Sequence, residues 1–164
     1  MTEDIVRRLG YLTLGTRLKR IGDRIQADTQ RILNANELTI PVAQWPFLAA
    51  IDRLGPQTIG ELARAVGVSQ PGVTRTVLQL EKTGLLAVEP SNDDQRRKVV
   101  KLTADGKRLV AAGKRTVWPT IENAVRDLCR QLTGPLLDQL SAIEDGLVAE
   151  PLYHRITKKN RGSK

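Results

Sequence analysis

TIGELARAVGVSQPGVTRTVLQLEKTGLLAVEPSNDDQRRKVVKLTADG, residues 58–106, holds two short helical patterns, a glycine turn between them, and two strand-like runs joined by a polar, basic tip. Ile59, Leu62, Ala63 and Val66 recur at i, i+3, i+4 and i+7, which lines one face of a helix with apolar groups. Thr58 is placed to cap that helix, and Glu61, three residues on, completes a capping box. Gly67 can take the left-handed conformation that ends it, and Val68 plugs the turn. Ser69 is expected to cap the second helix by accepting an orphan backbone N–H. That helix runs from about Gln70 to Lys82, with Val73, Val77 and Leu80 facing a core. Pro71, Thr74, Arg75, Leu78 and Lys82 fall on the opposite side, where Leu78 departs from an otherwise polar face for no reason visible in the sequence.

Leu85 to Glu89 and Lys98 to Leu102 are β-prone runs, separated by the turn-rich Pro90, Ser91, Asn92, Asp93 and Asp94 and then by Arg96 and Arg97. Helix, turn, helix and hairpin in this order make a winged helix-turn-helix. In such a fold the second helix meets the major groove with its N-terminal residues. Gln70, Thr74 and Arg75 carry donors and acceptors that match base edges. Ser69, Pro71 and Gly72 add little bulk at the helix start, so backbone N–H groups there can approach a phosphate, and Lys82 extends the same face. A guanidinium at a hairpin tip suits a narrow minor groove, where negative potential is concentrated. Arg96, Arg97 and Lys98 are the candidates, with Asp94 placed to hold Arg96 in one extended rotamer. Each feature taken alone is also what a solvated helix face or a solvated charge run looks like. Their conjunction favours DNA.

The segment resembles the DNA-binding lobe of the MarR family of transcriptional regulators. The resemblance rests on QWPFLAAI, on TIGELARAVGVSQPGVTRTVLQLEKTGLL, on the wing Asp94-Gln95-Arg96, and on KLTADGKRL with its Leu102-Thr103 and Gly106. It implies a mainly α fold with a small β-hairpin wing, in which a winged helix-turn-helix lobe is joined to a helical dimerisation lobe. On that basis residues 37–106 are expected to form the DNA-binding region, 1–36 and 107–156 the dimerisation region, and 157–164 a disordered basic tail.

Composition agrees with a polyanionic partner but does not carry the argument. The net charge is +8 and the pI about 10.1. Five Lys/Arg and no acidic residue fall between Arg155 and the end, whereas Ile59 to Asp105 holds seven basic and six acidic residues, a balance of +1. Local placement of Arg75, Arg96, Arg97 and Lys98 therefore matters more than bulk charge. Aromatics make up only 3% of residues, which disfavours a single-strand binder built on stacking platforms. Cys129 is the only cysteine, so no disulfide and no cysteine-based metal site forms within one chain; it is expected to be a buried structural thiol. No signal-peptide pattern opens the chain and no run approaches a membrane span, so a cytoplasmic location is the default expectation. Catalysis is not expected. His154 is the only histidine, and no Gly-rich phosphate loop, HExxH or nucleophile elbow is present.

Outside the quoted stretch, Ile5, Leu9, Leu12, Leu18, Ile21, Ile25 and Ile32 follow helical spacing, which predicts one long first helix ending at Asn34-Ala35-Asn36. Gly10, Gly15 and Gly22 weaken it by about 1 kcal/mol each relative to alanine. Pro41 is expected to open the next helix, whose buried side is Trp45, Leu48, Ala49, Ile51 and Leu54. Thr103 caps a long helix carrying Leu109, Val110, Val117, Ile121, Val125 and Leu128, with Pro119 expected to kink it. After Thr133-Gly134-Pro135, a last helix is expected to turn Leu136, Leu137, Leu140, Ile143 and Leu147 inward.

The resemblance further implies a homodimer on a pseudo-palindromic double-stranded operator, acting most simply as a repressor that blocks polymerase. It also implies a small aromatic or anionic effector bound between the lobes, with Tyr11, Arg17, Trp45 and Trp118 as lining candidates; no metal or other cofactor is implied. The sequence leaves two alternatives open: an architectural or less specific DNA binder, and a winged helix used only for protein contacts.

Overall fold

The computed structural model describes residues 3–91 and 97–155. In chain order it contains α1 (Ile5–Arg8), a 3-10 turn (Gly10–Thr13), α2 (Leu14–Ala35), a second 3-10 turn (Val42–Gln44), α3 (Trp45–Leu54), α4 (Ile59–Val66), α5 (Gln70–Lys82), β1 (Leu86–Pro90), β2 (Lys98–Leu102), α6 (Ala104–Leu128) and α7 (Leu136–Ala149). The chain is mainly helical, with a single antiparallel hairpin among the described residues. Its contacts fall into two units, residues 1–123 and 124–164.

In the first unit the core is built on α3, α4 and α5. Phe47, Leu48 and Ile51 from α3, Leu62 from α4, and Val73, Val77 and Leu80 from α5 pack with Leu85, Leu86, Val100, Leu102 and Val110 in one buried cluster. Each fully buried leucine or valine contributes about 1.5–3 kcal/mol relative to exposure. Local chemistry fixes the ends of these helices. Thr58 Oγ1 accepts from the Glu61 N–H at 3.2 Å while Glu61 Oε2 accepts from the Thr58 N–H at 2.8 Å, which is the capping box in full. Gly67 ends α4 at φ +70°, a conformation that a Cβ would strain.

The hairpin pairs Leu86 with Leu102, Val88 with Val100 and Pro90 with Lys98. Leu86, Val100 and Leu102 are buried, so period-two alternation turns this face to the core. A third segment joins through Gln57, which exchanges backbone hydrogen bonds with Val100 at 3.0 and 2.7 Å. The first strand starts at Leu86 rather than Leu85. The Leu85 N–H is spent on the Leu80 carbonyl and its own carbonyl accepts from Thr103, so Leu85 closes the turn after α5 and the ladder begins one residue later.

Thr103 starts α6 as expected: its hydroxyl accepts from the Gly106 N–H at 3.0 Å and donates to the Gly84 carbonyl at 2.6 Å. Gly106 lies so near the end of the α5 turn that a Cβ there would come within 2.1 Å of the Leu85 carbonyl oxygen. The Leu-Thr-x-x-Gly pattern thus has a packing reason. Pro119 lies inside α6.

Four further expectations for this unit need correction. Leu54, expected on the buried side of α3, is 53% exposed. The first helix is not continuous: Gly10 takes φ +58°, and the chain passes through α1 and a 3-10 turn before α2 begins. Asp4 caps α1, and the Arg20 guanidinium beside it, with the Arg7 N–H, holds its carboxyl below the usual value. Pro41 does not open α3. Its extended ψ of 135° leaves it at the cap of a 3-10 turn that runs into α3, and the Val42 N–H donates to the Gln30 side-chain oxygen on α2 at 2.6 Å. Finally, Ser69 occupies the N-cap position of α5 but makes no side-chain cap bond.

The second unit holds α7 and the residues around it. Here the inward stripe fails within one chain: α7 has no buried residue, and Leu137, Ile143 and Leu147 are exposed. Cys129 is half-buried rather than buried. No described helix is long and apolar enough to cross a membrane.

Candidate nucleic-acid interface

The α5 pattern has the inner and outer faces that its spacing demands. Val73, Val77 and Leu80 are buried, while Gln70, Pro71, Thr74, Arg75, Leu78 and Lys82 are all exposed. Leu78 is 51% exposed on this otherwise polar face. Arg75 makes no hydrogen bond or ion pair among the described residues, so its guanidinium keeps all its donors for another partner. The Thr74 hydroxyl donates back to the Gln70 carbonyl at 3.0 Å, which leaves its oxygen as an acceptor. Gly72 also has a reason inside the fold: a Cβ there would meet Val68 Cγ1 at 2.8 Å, so the turn residue Val68 packs where a larger residue would stand. Ser69 is exposed beside it.

At the hairpin, Lys98 is exposed at the start of β2. Arg97 is exposed too, but its Nη2 donates to Glu61 Oε1 at 3.1 Å, so the structure places it against α4. Glu61 is held below the ordinary carboxylate range, first by the Thr58 N–H, then by the Thr58 hydroxyl, with Arg97 adding to both. Asp94 and Arg96 lie outside the described residues. Ser69, Gln70, Pro71, Gly72, Thr74, Arg75 and Lys82 thus belong to one helix and its start, and Arg97 and Lys98 to the turn end of the hairpin ladder.

A concavity of about 440 Å³ is lined by Thr29 and Leu33 of α2, Val42, Trp45, Pro46 and Ala49 around the start of α3, and Trp118, Ile121 and Glu122 of α6. It is a ligand-sized and largely apolar space. Trp45 is buried and its ring meets Trp118 edge-on, with centroids 6.0 Å apart and planes at 81°. The Trp45 Nε1–H finds no acceptor among the described residues, although buried donors are nearly always paired. Two of the four effector candidates therefore line this cleft. Tyr11 is 94% exposed, and neither it nor Arg17 is part of the lining.

Two glutamine contacts near this cleft have no signature in the sequence. Gln30 binds the 40–42 turn from both sides, donating to the Ile40 carbonyl at 3.2 Å and accepting from the Val42 N–H. Gln44, between the lining residues Val42 and Trp45, donates to Gln79 on α5 at 3.1 Å. Side-chain amides this far apart in sequence leave no periodicity to detect. Among the described residues no group of His, Cys, Asp and Glu could hold a metal ion.

Residues 38–97 match a family model described as MarR family. Among solved structures, a MarR family transcriptional regulator from Silicibacter pomeroyi DSS is 26% identical, over 83% of this chain and 87% of that one, with a TM-score of 0.60. The transcriptional repressor CouR, solved bound to a 23-mer DNA duplex, is 25% identical over 86% of this chain and 95% of its own, with a TM-score of 0.61. BpsR of Bordetella bronchiseptica, whose DNA binding is regulated by 6-hydroxynicotinic acid, shares the fold at 21% identity, over 84% and 93% of the two chains, with a TM-score of 0.62.

Proposed function

We propose that this chain, a MarR-family protein with that family's winged helix-turn-helix DNA-binding fold, is a homodimeric repressor that reads a pseudo-palindromic operator and responds to a small ligand. The observation that carries this reading is the outer face of α5, where Gln70, Thr74 and Arg75 are exposed together and Arg75 has no partner among the described residues. An exposed arginine of this kind pairs with guanine O6 and N7, and glutamine with adenine N6 and N7. Ser69, Pro71 and Gly72 at the helix start, Lys82 at its end and Lys98 on the hairpin would hold the flanking phosphates. Arg96, with Asp94, remains the proposed minor-groove element.

One such module touches few base pairs. Two related by a two-fold axis would read half-sites about 34–36 Å apart. The terminal helices supply surfaces for the pairing: Ile5, Leu9, Leu12, Leu18 and Ile21 in one unit and Leu137, Ile143, Leu147 and Val148 in the other are exposed in a single chain. So much exposed apolar surface is what a partner covers. We therefore keep residues 1–36 and 107–156 as the dimerisation region, 37–106 as the DNA-binding region, and 157–164 as a basic tail.

Ligand response is supported by the Trp45–Trp118 cleft. Its apolar walls suit a planar aromatic body, and the unpaired indole N–H suits one acceptor, such as a carboxylate or carbonyl oxygen. Gln44 gives the cleft wall a direct bond to α5. An occupant that favours one α5 position over another would shift the fit to paired half-sites.

An electrophoretic shift with promoter fragments selected from the source genome against random duplex tests the core of this reading. Preference for the selected fragments is expected, and equal binding to both would leave only an architectural role. Adding a panel of small aromatic carboxylates should release the selected fragment for at least one member and quench tryptophan fluorescence with it. Release without any change in fluorescence would place the effector elsewhere.

A further inference from the structure

The second strand side of the wing is tied twice to α4 and the residues that lead into it. The backbone tie is Gln57, the residue before the α4 cap, which exchanges hydrogen bonds with Val100 in β2. The side-chain tie is Arg97. Its own carbonyl accepts from the Ser91 N–H at 2.7 Å, which closes the hairpin one pair beyond Pro90 and Lys98. Its guanidinium then reaches a residue 36 positions earlier, Glu61 Oε1, at 3.1 Å. The two oxygens of that carboxylate have separate duties. Oε2 accepts from both the N–H and the hydroxyl of Thr58 at 2.8 Å and completes the helix cap, while Oε1 faces the wing.

This arrangement gives Arg97 a different part from its neighbours. A guanidinium paired with a carboxylate presents a reduced net charge to a phosphate, and this one has an Nη2 donor committed to Glu61. Glu61 is itself held, because the helix cap takes its other oxygen. Leu62, next to Glu61, packs in the same core as Val73 and Val77 of α5, so whatever is fixed to the start of α4 is fixed relative to the proposed recognition helix.

We infer that Arg97 is a positioning residue, which sets the turn end of the wing's ladder against α4 through Glu61, and not one of the wing's groove or phosphate contacts. The inference rests on the DNA-binding reading above and revises the part that the sequence alone assigns to Arg97. It also separates Arg97 from its neighbour Lys98, which is exposed and makes no such pair among the described residues.

Three full-length variants test it: Arg97→Met, Glu61→Gln and the double substitution. Glutamine serves at this position of a capping box, so Glu61→Gln removes the charge while keeping the start of α4. Without DNA, amide exchange at Ser91 should accelerate about two- to five-fold in each single variant, as expected for losing an exposed ion pair. The double variant should show no more than either single, with α5 amides unchanged. Unchanged exchange at Ser91, or effects that multiply in the double variant, would overturn the tie. With a mixed-sequence duplex of about 21 base pairs, two helical turns, Arg97→Met should leave the slope of log affinity against log salt as it is. Glu61→Gln should not tighten binding. A slope reduced by about 0.9 marks a lost phosphate contact, and tighter binding by Glu61→Gln marks a freed one; either would overturn the assignment. A wild-type chain that bound no duplex would sink the proposed function instead, and the exchange measurements would still decide the tie.

Discussion

The α3–α5 core with its hairpin and the helices at the two ends of the chain answer the same problem in opposite ways. Each of α3, α4 and α5 is amphipathic and each finds its apolar partner inside the chain, so Leu48, Leu62, Val73, Leu80 and Val100 are sealed. The end segments are patterned just as clearly, yet Ile5, Leu12, Ile21 and Leu137 remain open to solvent, the last at 76%. Apolar periodicity predicts that a face will be covered. It does not say by which chain. A sealed core needs no second copy to be stable, whereas an open stripe either acquires a partner or stands as an aggregation hazard.

The contrast can be broken most forcefully at its sealed side. Leu80→Ala, in the middle of the core, should destabilise the fold by about 2–5 kcal/mol, read as a drop in denaturation midpoint at unchanged protein concentration. Leu137→Ala should leave a dilute chain's stability within about 0.5 kcal/mol, as for an ordinary surface change. Its effect should instead be to move the association midpoint to higher concentration. If Leu137→Ala unfolded dilute protein as Leu80→Ala does, the stripe would belong to an intrachain core after all.

Next in size is the outer face of α5. Arg75→Ala should cost roughly 1–3 kcal/mol on the preferred DNA site and relax specificity, measured by competition between selected and random duplexes. A loss of equal size on every sequence would make Arg75 a phosphate clamp. Smaller again is the cap: Thr58→Ala should lower stability by about 1 kcal/mol, because the Glu61 N–H loses its acceptor and Glu61 Oε2 loses the hydroxyl, while the backbone half of the capping box remains. The smallest effect is that of pH. Glu61 is held below its ordinary value, so its contribution is complete at neutral pH and is lost as pH falls through its lowered folded value. Wild type should therefore lose melting temperature on acidification more steeply than Glu61→Gln. Parallel curves would mean that the Thr58 bonds add nothing to the charged form.

The same contrast explains what was legible beforehand. Helix α5 and strand β2 keep the bounds that their patterns predict, as do the Thr58–Glu61 box and the Gly67 turn, because every one of these signals is local. Gly10 hid a break: a glycine within apolar periodicity reads as a tolerated weakness unless its backbone sign is known. Pro41 misled because its ψ is not visible in the sequence: at 135° it caps the 3-10 turn before α3 and does not itself join a helix. The Gln44–Gln79 bond and the Arg97–Glu61 pair join residues 35 and 36 apart, and no spacing rule reaches that far. At the candidate interface the residue types were legible and the partners were not. Arg75 and Arg97 look alike in sequence, yet the first has no ion pair among the described residues and the second has one.

The central claim is that two copies of this chain, joined through their end helices, present paired α5 faces to one duplex. Sedimentation of the protein with a genome-selected promoter fragment, labelled on the DNA, tests it most directly. The account predicts a saturated complex of two chains per fragment, lost together with self-association in the Leu137→Ala, Leu147→Ala variant. A saturated complex of one chain per fragment, equally tight on random duplex, would contradict it.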